Sequence, residues 1–498
     1  MFDQSLSLEN LFRDSRWVYG LIGVVCALIA GSLLGAYGIM GALMAVGVPV
    51  GLLTLVGILL EPRLGLLIYI NLSFILGFTR FLQTEAPLGM SLDAILSLTL
   101  VSVFLNGKRM AWSRLKNPVF YLLILWLTYT LLEYYNPDAP ARQAWFYHIR
   151  SFSINWFFLA IIVFVAPITR SDIHTLIRVW VGWSVLAAFW AFKQQYIGLA
   201  AAEQRWLAEG AERTHILWGQ LRSFSFYSDA GQFGSEMAGV TLICLIFFFE
   251  SKRWLNKIGY LILALIMFWG FAVSGTRSAL FGLLAGYPAY LFLMRQLKPI
   301  LRGIAVATPV LLVLVFTNFG DSIYQIYRIR TALRPTKDAS FIVRLENQAK
   351  LRAYLKDLPF GAGIGSSSGA GQRFSPNHFA SQIPTDSWYV QIWIETGRVG
   401  LSLYLFVLAG IILTGVYKVW QIRDDRLRII MIALLAEFIG IALVSYSNPI
   451  LGQFPTSTML FINSVLFATG ERWDIPTLPK KPPLHRYEPQ PLHRQHSF

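Results

Sequence analysis

Basic residues concentrate in a polar interval, 318–387, of an otherwise apolar chain. The interval contains nine of them: Arg328, Arg330, Arg334, Lys337, Arg344, Lys350, Arg352, Lys356 and Arg373. Its acidic residues are fewer: Asp321, Asp338, Glu346, Asp357 and Asp386. The charge pattern described below places this interval outside the cytoplasm. The positive-inside rule disfavours basic clusters there in short loops, although long loops cross a membrane largely regardless of charge. The concentration of basic residues therefore predicts that an anion is held here.

Two further arginines stand at the ends of apolar runs. Arg277 is flanked by small residues in Ser-Gly-Thr-Arg-Ser-Ala, which lets a ligand approach closely, and Arg222 stands among aromatic residues before the run at 230. A guanidinium group is a planar fork that matches phosphate oxygens, and aromatic faces suit sugar rings. The competing interpretation is an arginine that snorkels to the lipid headgroups beside an aromatic belt.

The residues around Arg344 predict a helix followed by a glycine turn. Apolar residues recur with helical spacing (Ile342, Leu345, Ala349, Leu351 and Leu355), and Leu358-Pro359 ends the pattern. Gly361, Gly363 and Gly365 follow, and they permit backbone N–H groups to face an anion or a sugar. No strand precedes these glycines, so a dinucleotide-binding fingerprint is rejected. A solvated lid with ordinary surface charges is the alternative.

Three polar side chains mark the return of the chain into the membrane. Asp386 stands where it can either cap the next helix or take part in a reaction at the site. Glu395 falls in the outer part of that span, where acidic groups are costly unless paired or functional, and Arg398 is its expected structural partner. His378 lies eight residues before Asp386.

The composition of the 498 residues indicates an all-α polytopic membrane protein. Hydrophobic residues make up 55% and charged residues only 14%, against about 25% charged in soluble domains. Apolar runs of 17–25 residues recur, each long enough to cross the hydrocarbon layer. The net charge of +15 is explained by basic cytoplasmic loops, so nucleic acid is not an expected partner. Cys26 and Cys244 lie in apolar runs and predict neither a metal site nor a disulfide.

Fourteen candidate spans divide the chain: 17–36, 38–60, 63–79, 88–106, 118–135, 152–168, 174–197, 230–250, 257–274, 278–294, 300–317, 388–417, 427–447 and 455–469. Basic residues cluster in alternate connections, which predicts that both termini are cytoplasmic. The segments 136–151, 198–229, 274–277 and 318–387 then face outward. The predicted organisation is membrane helices over 1–317, an outer loop or lid over 318–387, membrane helices over 388–470 and a disordered tail over 471–498.

Taken in order, these motifs resemble the O-antigen ligase and polymerase superfamily over roughly residues 220–450. The resemblance is carried by the segments SGTRSAL (274–280), LPFGAGIGS (358–366) and DSWYVQIWIETGRVGLSLYL (386–405), with the arginine-bearing loop helix between the first two. It implies a GT-C-type fold and a metal-independent, inverting glycosyltransferase without a cofactor. It also implies a site at the periplasmic face of the bacterial inner membrane, in surface polysaccharide biosynthesis.

The resemblance also implies partners and residue roles. The donor is an undecaprenyl-pyrophosphate-linked oligosaccharide and the acceptor a glycan or a lipid A-core-type molecule, with a chain-length regulator as a further partner. Arg277 and Arg344 bind the pyrophosphate and Arg222 assists; Gly363, Gly365 and Glu395 support them. Ligases of the family carry a catalytic histidine where this chain has Asp386. An aspartate can act as general base toward a sugar hydroxyl, and His378 is the alternative base.

Two other classes of function compete with this hypothesis. A transporter or flippase of polysaccharide precursors predicts charged residues in mid-membrane and symmetric repeats. A non-catalytic assembly scaffold tolerates the loss of Arg277 and Arg344. Polymerase and ligase differ in their acceptor, which the sequence does not name.

Overall fold

A computed structural model describes residues 38–81, 88–295 and 339–474, with isolated positions between 31 and 36 and between 301 and 330. The predicted span 17–36, the span 300–317, residues 318–338 of the basic interval and the tail from 475 onward lie largely or wholly outside the described residues.

The described residues form an α-helical bundle with a single short hairpin. The first half contains α1 (Ile39–Leu60), α2 (Pro62–Ile75), α3 (Met90–Leu105), α4 (Pro118–Leu132), α5 (Arg142–Ile149), α6 (Asn155–Val165), α7 (Arg170–Phe192), α8 (Ala201–Trp206), α9 (Glu212–His215) and the antiparallel hairpin β1 (Ile216–Leu217) and β2 (Gln220–Leu221).

The second half continues with α10 (Ala230–Glu250), α11 (Trp254–Ser274), α12 (Ser278–Met294), α13 (Ala339–Tyr354), α14 (Ser368–Phe374), α15 (Phe379–Gln382), α16 (Trp388–Gln421), α17 (Asp425–Val444) and α18 (Thr456–Ala468). In the described part of the chain, eight helices are long and apolar enough to cross a membrane, and four apolar helices are shorter. The prediction of an all-α polytopic membrane protein is confirmed, and these twelve helices correspond to twelve of the fourteen predicted spans.

Capping residues explain where several helices begin. Glu61 and Asn117 accept hydrogen bonds from the first turns of α2 and α4, each of which carries proline at its first position. Asp229 caps α10 by accepting from the backbone N–H of Gln232 (2.9 Å), and Asp424 caps α17. These caps satisfy backbone donors that would otherwise lack partners at the helix ends.

The core of the second half is built on α10, α17 and α18. Every residue of α18 is buried, as are most residues of α10 and α17. Small residues allow α12 and α17 to touch: a Cβ on Gly440 would lie 2.7 Å from the carbonyl oxygen of Gly282. Close approach through small residues is how membrane helices gain van der Waals contact, since lipid offers no hydrophobic drive for association.

Two predicted boundaries differ from the structure. The segment 136–151 was expected to be an outer loop, but α5 begins at Arg142 and continues through a π-helical turn into α6. The helix continues because its polar residues find partners: His148 contacts Gln391 (2.8 Å), and Arg150 pairs with Asp93. A hydropathy profile does not show such pairing between residues that are distant in sequence.

The second difference is a break within α16. Gly397 has φ +65° inside this helix, and a Cβ there would lie 2.0 Å from the carbonyl oxygen of Pro359. The loop that follows α13 is hydrogen-bonded on either side of the break, from Val399 N–H to Pro359 (3.2 Å) and from Ala362 N–H to Ile394 (2.8 Å). A left-handed glycine is required here because any side chain would separate loop and helix.

Candidate functional site

A cavity of about 730 Å³ opens at the end of the bundle where α10, α12 and α16 begin. Its lining includes four residues predicted from separate segments of the sequence, namely Arg222, Arg277, Arg344 and Asp386. It also includes residues that the prediction did not assign to the site, among them Arg213, His215, Asp229, Ser278, Tyr446 and Asn448.

Arg222 is held against the turn between α11 and α12. Its Nε donates to the carbonyl of Ser274 (3.0 Å), and its two terminal nitrogens donate to the carbonyl of Thr214 (2.8 Å) and to Thr276 Oγ1 (3.1 Å). Gly275 has φ +59°, and a Cβ there would lie 3.3 Å from Arg222 Cγ. These acceptors are neutral, so Arg222 both fixes the turn and brings positive charge to the cavity.

The same turn presents Arg277 at the start of α12. Thr276 Oγ1 donates to the carbonyl of Ala230 (2.7 Å), which ties the turn to the start of α10. On the other side, Asn448 Nδ2 donates to Ser278 Oγ (2.6 Å), which ties it to the segment after α17. Arg277 is half-buried between these two attachments, so its backbone is fixed between α10, α12 and the segment after α17.

Arg344 and Asp386 face each other across the cavity mouth. Arg344 Nε lies 3.5 Å from Asp386 Oδ2, and their side chains are 29% and 53% exposed. The cap of α16 is Ser387, which accepts from the backbone N–H of Val390 (3.3 Å), and not Asp386. Asp386 is therefore not required for helix capping and stays accessible to a ligand.

The predicted loop helix is confirmed as α13, and only part of it is anchored. Leu351 and Leu355 are buried in a small cluster with Ile394 of α16, whereas Ile342 and Leu345 are exposed. The half that carries Arg344 thus lies over the cavity without a buried apolar face of its own.

The electrostatics of the cavity favour an anion. Four arginines and two aspartates line it: Arg213, Arg222, Arg277, Arg344, Asp229 and Asp386. The first turns of α10 and α12 also meet there. Helix N-termini carry partial positive charge and N–H groups that lack intrahelical partners. The arrangement suits a phosphate-bearing ligand better than a cation.

His215 connects the cavity wall to α10 as a neutral base. Its Nε2 accepts from the backbone N–H of Ala230 (3.1 Å), and its Nδ1 lies 3.0 Å from the carbonyl of Ala211. Burial lowers the pKa of His215 to about 4. The ring also packs against Trp206 and Phe224. This histidine is a structural part of the wall, because its accepting nitrogen is already engaged.

The depressed pKa of His215 gives an expected pH dependence of stability. An unfolded histidine binds a proton below its ordinary pKa of 6.5, while the folded one does so only near 4. Stability is therefore fully present above pH 6.5 and falls as the pH drops toward 4, by roughly 3 kcal/mol at full extent, since one pKa unit is worth about 1.4 kcal/mol. Thermal unfolding in detergent across this range, compared with His215→Gln, measures the effect. Parallel profiles for the two proteins would contradict it.

His378 does not line the cavity. It precedes α15, where its Nε2 lies 3.2 Å from the hydroxyl of Tyr354 on α13, and its ring packs edge-on against the same tyrosine. Burial lowers the pKa of His378. The structure thus gives the two candidate bases different surroundings: Asp386 faces Arg344 at the cavity, and His378 packs against the loop helix.

Glu395 forms a closed structural motif with the glycine turn. Its carboxylate is fully buried and accepts from Gly365 N–H (2.8 Å), Ser367 Oγ (2.6 Å) and Gln391 Nε2 (3.3 Å). Arg398, the expected partner, is exposed. Gly365 therefore does present its N–H to an anion, as the sequence suggested, but that anion belongs to the protein.

Gly363 and Gly365 are required by the shape of the turn. Both have positive φ, +85° and +84°, and a Cβ on either would meet Ala139 or Ala144 at 2.5–2.8 Å. These glycines bring the loop onto the segment before α6, while the cavity lies elsewhere. They hold in place the loop that leads to Asp386.

Glu395→Ala is expected to destabilise the protein by on the order of 3 kcal/mol, because it leaves the buried donors Gly365 N–H and Ser367 Oγ without an acceptor, while Gln391 keeps its contact with His148. The measurement is thermal unfolding of the purified protein in detergent. Glu346→Ala on α13, where the side chain is exposed, is the matched control and should change little. Equal melting temperatures for the two variants would show that the buried carboxylate does not hold the turn.

Comparison with known proteins agrees with this geometry. Residues 262–405 match a family model described as O-antigen ligase. The matched region contains Arg277, Arg344, the glycine turn, Asp386 and Glu395, and it ends before the segment around Asn448. No curated protein matches the chain. Over residues 262–405, this multi-pass membrane protein is therefore similar to the O-antigen ligase family.

Proposed function

We propose that this protein is a glycosyltransferase that transfers or polymerises undecaprenyl-pyrophosphate-linked oligosaccharides in surface polysaccharide synthesis. One observation carries the proposal: Arg222, Arg277, Arg344 and Asp386, which are distant in sequence, line one cavity. The family match supports a ligase or polymerase type of activity. The donor, the acceptor and the chemical step are inferred from the side chains.

The proposed step is a displacement at the anomeric carbon of the donor. Asp386 takes the proton of the acceptor hydroxyl, whose oxygen forms the new glycosidic bond as the bond from carbon to pyrophosphate oxygen breaks. The electron pair of the broken bond goes to the pyrophosphate, where Arg277 and Arg344 stabilise the growing negative charge. Attack from the face opposite the leaving group inverts the configuration, and the step uses no metal and no cofactor.

The proposed location is the periplasmic side of the bacterial inner membrane, with both termini in the cytoplasm. This orientation is inferred from the distribution of basic residues. It puts the cavity on the periplasmic side, where the lipid-linked donor would be used. Residues 318–387, which lie between the membrane units 1–317 and 388–470 in the sequence, act as the lid. The half of α13 that carries Arg344 then lies over the donor. The proposed acceptor is a glycan or a lipid A-core-type molecule, and a polymerase would act with a chain-length regulator.

Transfer by the purified protein from a lipid-linked oligosaccharide to an added acceptor tests the proposal. New glycosidic products and released undecaprenyl pyrophosphate are expected; a ladder of repeats indicates a polymerase, and single addition to a lipid acceptor indicates a ligase. In cells, a deletion strain should accumulate short single-repeat products in the first case and lipid-linked polymer in the second. Absence of any transfer by folded protein with a range of donors would overturn the assignment.

The transporter alternative has one structural observation in its favour. Glu236 and Glu437 lie buried within two helices long enough to span a membrane. A transporter would move the lipid-linked donor across vesicle membranes without forming a glycosidic bond. Measuring donor translocation and product formation in the same proteoliposomes separates the two functions.

A further inference from the structure

Two acidic side chains lie inside the helix bundle, apart from the residues that line the cavity. Glu236 on α10 and Glu437 on α17 are each 1% exposed. Both helices are long and apolar enough to cross a membrane, and most residues of each are buried. An ionised carboxylate in such surroundings is very costly unless it is paired or takes up a proton.

The side chain of Glu437 packs against the turn of α10 that follows Glu236. A Cβ on Gly239, one turn after Glu236, would lie 3.2 Å from Glu437 Cγ and 3.3 Å from its Oε1, so Glu437 fills the space that this glycine leaves. The two glutamates also interact electrostatically. Two carboxylates that interact in a medium of low dielectric constant favour the uptake of a proton by one of them.

Few donors are available to stabilise two negative charges. Trp180 Nε1 of α7 donates to Glu236 Oε1, and Asn463 Nδ2 of α18 makes a long bond of 3.5 Å to Glu437 Oε2. Glu236 Oε2 is buried and has no hydrogen-bond partner among the described residues. In the same part of the chain, neither glutamate forms an ion pair with a lysine or arginine.

The other polar groups around the pair come from neighbouring elements. Tyr227, just before α10, has a buried hydroxyl without a hydrogen-bond partner among the described residues and interacts electrostatically with Glu236. Thr456 of α18 lies beside Glu236. The remaining titratable groups on α10 are farther along the helix: Cys244 is buried, and Glu250 accepts from Tyr290 on α12.

A line of polar side chains joins the pair to the cavity. Asp229, Gln232 and Glu236 follow one face of α10 with spacings of three and four residues. Asp229 lines the cavity, and Gln232 Nε2 donates to Thr456 Oγ1 (3.3 Å), next to Glu236. The interior carboxyl groups are thus reached from the cavity through polar contacts, within an otherwise apolar core.

We propose that Glu236 and Glu437 form a proton-binding site inside the bundle, in communication with the cavity along Asp229, Gln232 and Thr456. The pair retains at least one proton at neutral pH, and that proton exchanges with water at the cavity end of α10. This proposal does not depend on the proposed glycosyl transfer, because the ligand is a proton and its binding is measured by spectroscopy.

Infrared spectroscopy of the full-length protein in lipid bilayers tests for the bound proton. At pH 7 we expect a carbonyl-stretch band of protonated carboxyl groups that is lost in the double variant Glu236→Gln/Glu437→Gln. Glu250→Gln removes a carboxyl group from the same helix at its far end and should leave the band intact. A band unchanged in the double variant would overturn the site.

The wild-type protein gives an answer even where the double variant does not fold. No protonated-carboxyl band at pH 7 would mean that both glutamates are ionised, which contradicts the proposal. A band that disappears on addition of sodium ions would assign the site to a metal cation, with the same consequence.

Exchange into deuterium oxide tests the connection to the cavity. The isotope shift of the band should be several-fold slower in Thr456→Val, because the substitution removes the hydroxyl between Gln232 and Glu236. Thr241→Val is the matched control, since Thr241 lies farther along α10 and its hydroxyl donates only to the carbonyl of Met237 (2.7 Å). Equal exchange rates in Thr456→Val and the wild type would exclude this route.

Discussion

Asp386→Asn is expected to lower the turnover of glycan transfer by about 10²–10⁴-fold, the usual contribution of a general base. The amide keeps the size of the side chain but cannot take the proton of the acceptor hydroxyl. It also removes the negative charge 3.5 Å from Arg344 Nε, so binding of the anionic donor should be unchanged or tighter. Steady-state transfer with a lipid-linked donor, resolved into kcat and KM, is the measurement.

His378→Ala is the decisive comparison for this prediction. His378 contacts Tyr354 and does not line the cavity, so its loss should affect stability more than turnover. A fully active Asp386→Asn protein together with an inactive, folded His378→Ala protein would reverse the assignment of the base. Asp386→Glu, which retains the carboxylate on a longer side chain, should keep part of the activity.

Hydropathy predicted most of the fold because crossing a membrane imposes length and composition on each helix. It failed where polar residues inside helices are satisfied by partners distant in sequence. Arg150 reaches Asp93, and His148 reaches Gln391, so α5 and α6 form one continuous helix through a region expected to be a loop. The break at Gly397 was equally hidden, since it depends on Pro359 packing against it.

Residue type and the family resemblance together predicted four cavity residues, but not the geometry that joins them. Arg222 and Arg277 were recognisable because guanidinium groups beside small or aromatic residues suit phosphate, whereas Arg344 and Asp386 were assigned to the site through the resemblance. The segment around Asn448 carried a signal in its polar sequence Ser-Tyr-Ser-Asn-Pro between two apolar runs, but the predicted span 427–447 included its first three residues and no role was assigned to the rest. Local sequence also does not show which anion the N–H of Gly365 faces.

The composition of the basic interval 318–387 suggested that many of its basic residues would bind an anion, but the structure places few of the described ones at the cavity. Among its basic residues that the structure describes over 339–387, Arg344 lines the cavity, whereas Arg352 and Lys356 are exposed on or just beyond the same helix. Arg373 stacks over Tyr147, with 5.1 Å from its guanidinium carbon to the ring centroid. The positive charge at the cavity is instead assembled from three regions of the chain, because Arg222 and Arg277 lie outside the interval.

Arg277→Ala and Arg344→Ala are each expected to reduce kcat by about 10²–10³-fold, comparable to the loss of one preorganised donor to a developing oxyanion. Arg277 should be the more sensitive of the two, because packing holds it between α10, α12 and the segment after α17, whereas Arg344 stands on the less anchored half of α13. Arg352→Ala removes a positive charge from the same helix as Arg344 and should retain activity.

A double-variant cycle shows whether the two arginines act on one group. If both contact the same departing pyrophosphate, the combined loss in Arg277→Ala/Arg344→Ala should be smaller than the product of the single losses, since groups acting as a unit are not additive. Lysine at either position restores charge without the planar fork, so Arg277→Lys should recover only part of the rate. Independent, fully multiplicative effects would place the arginines on different parts of the substrate, and full activity in the alanine variants would leave the cavity without a role in pyrophosphate binding.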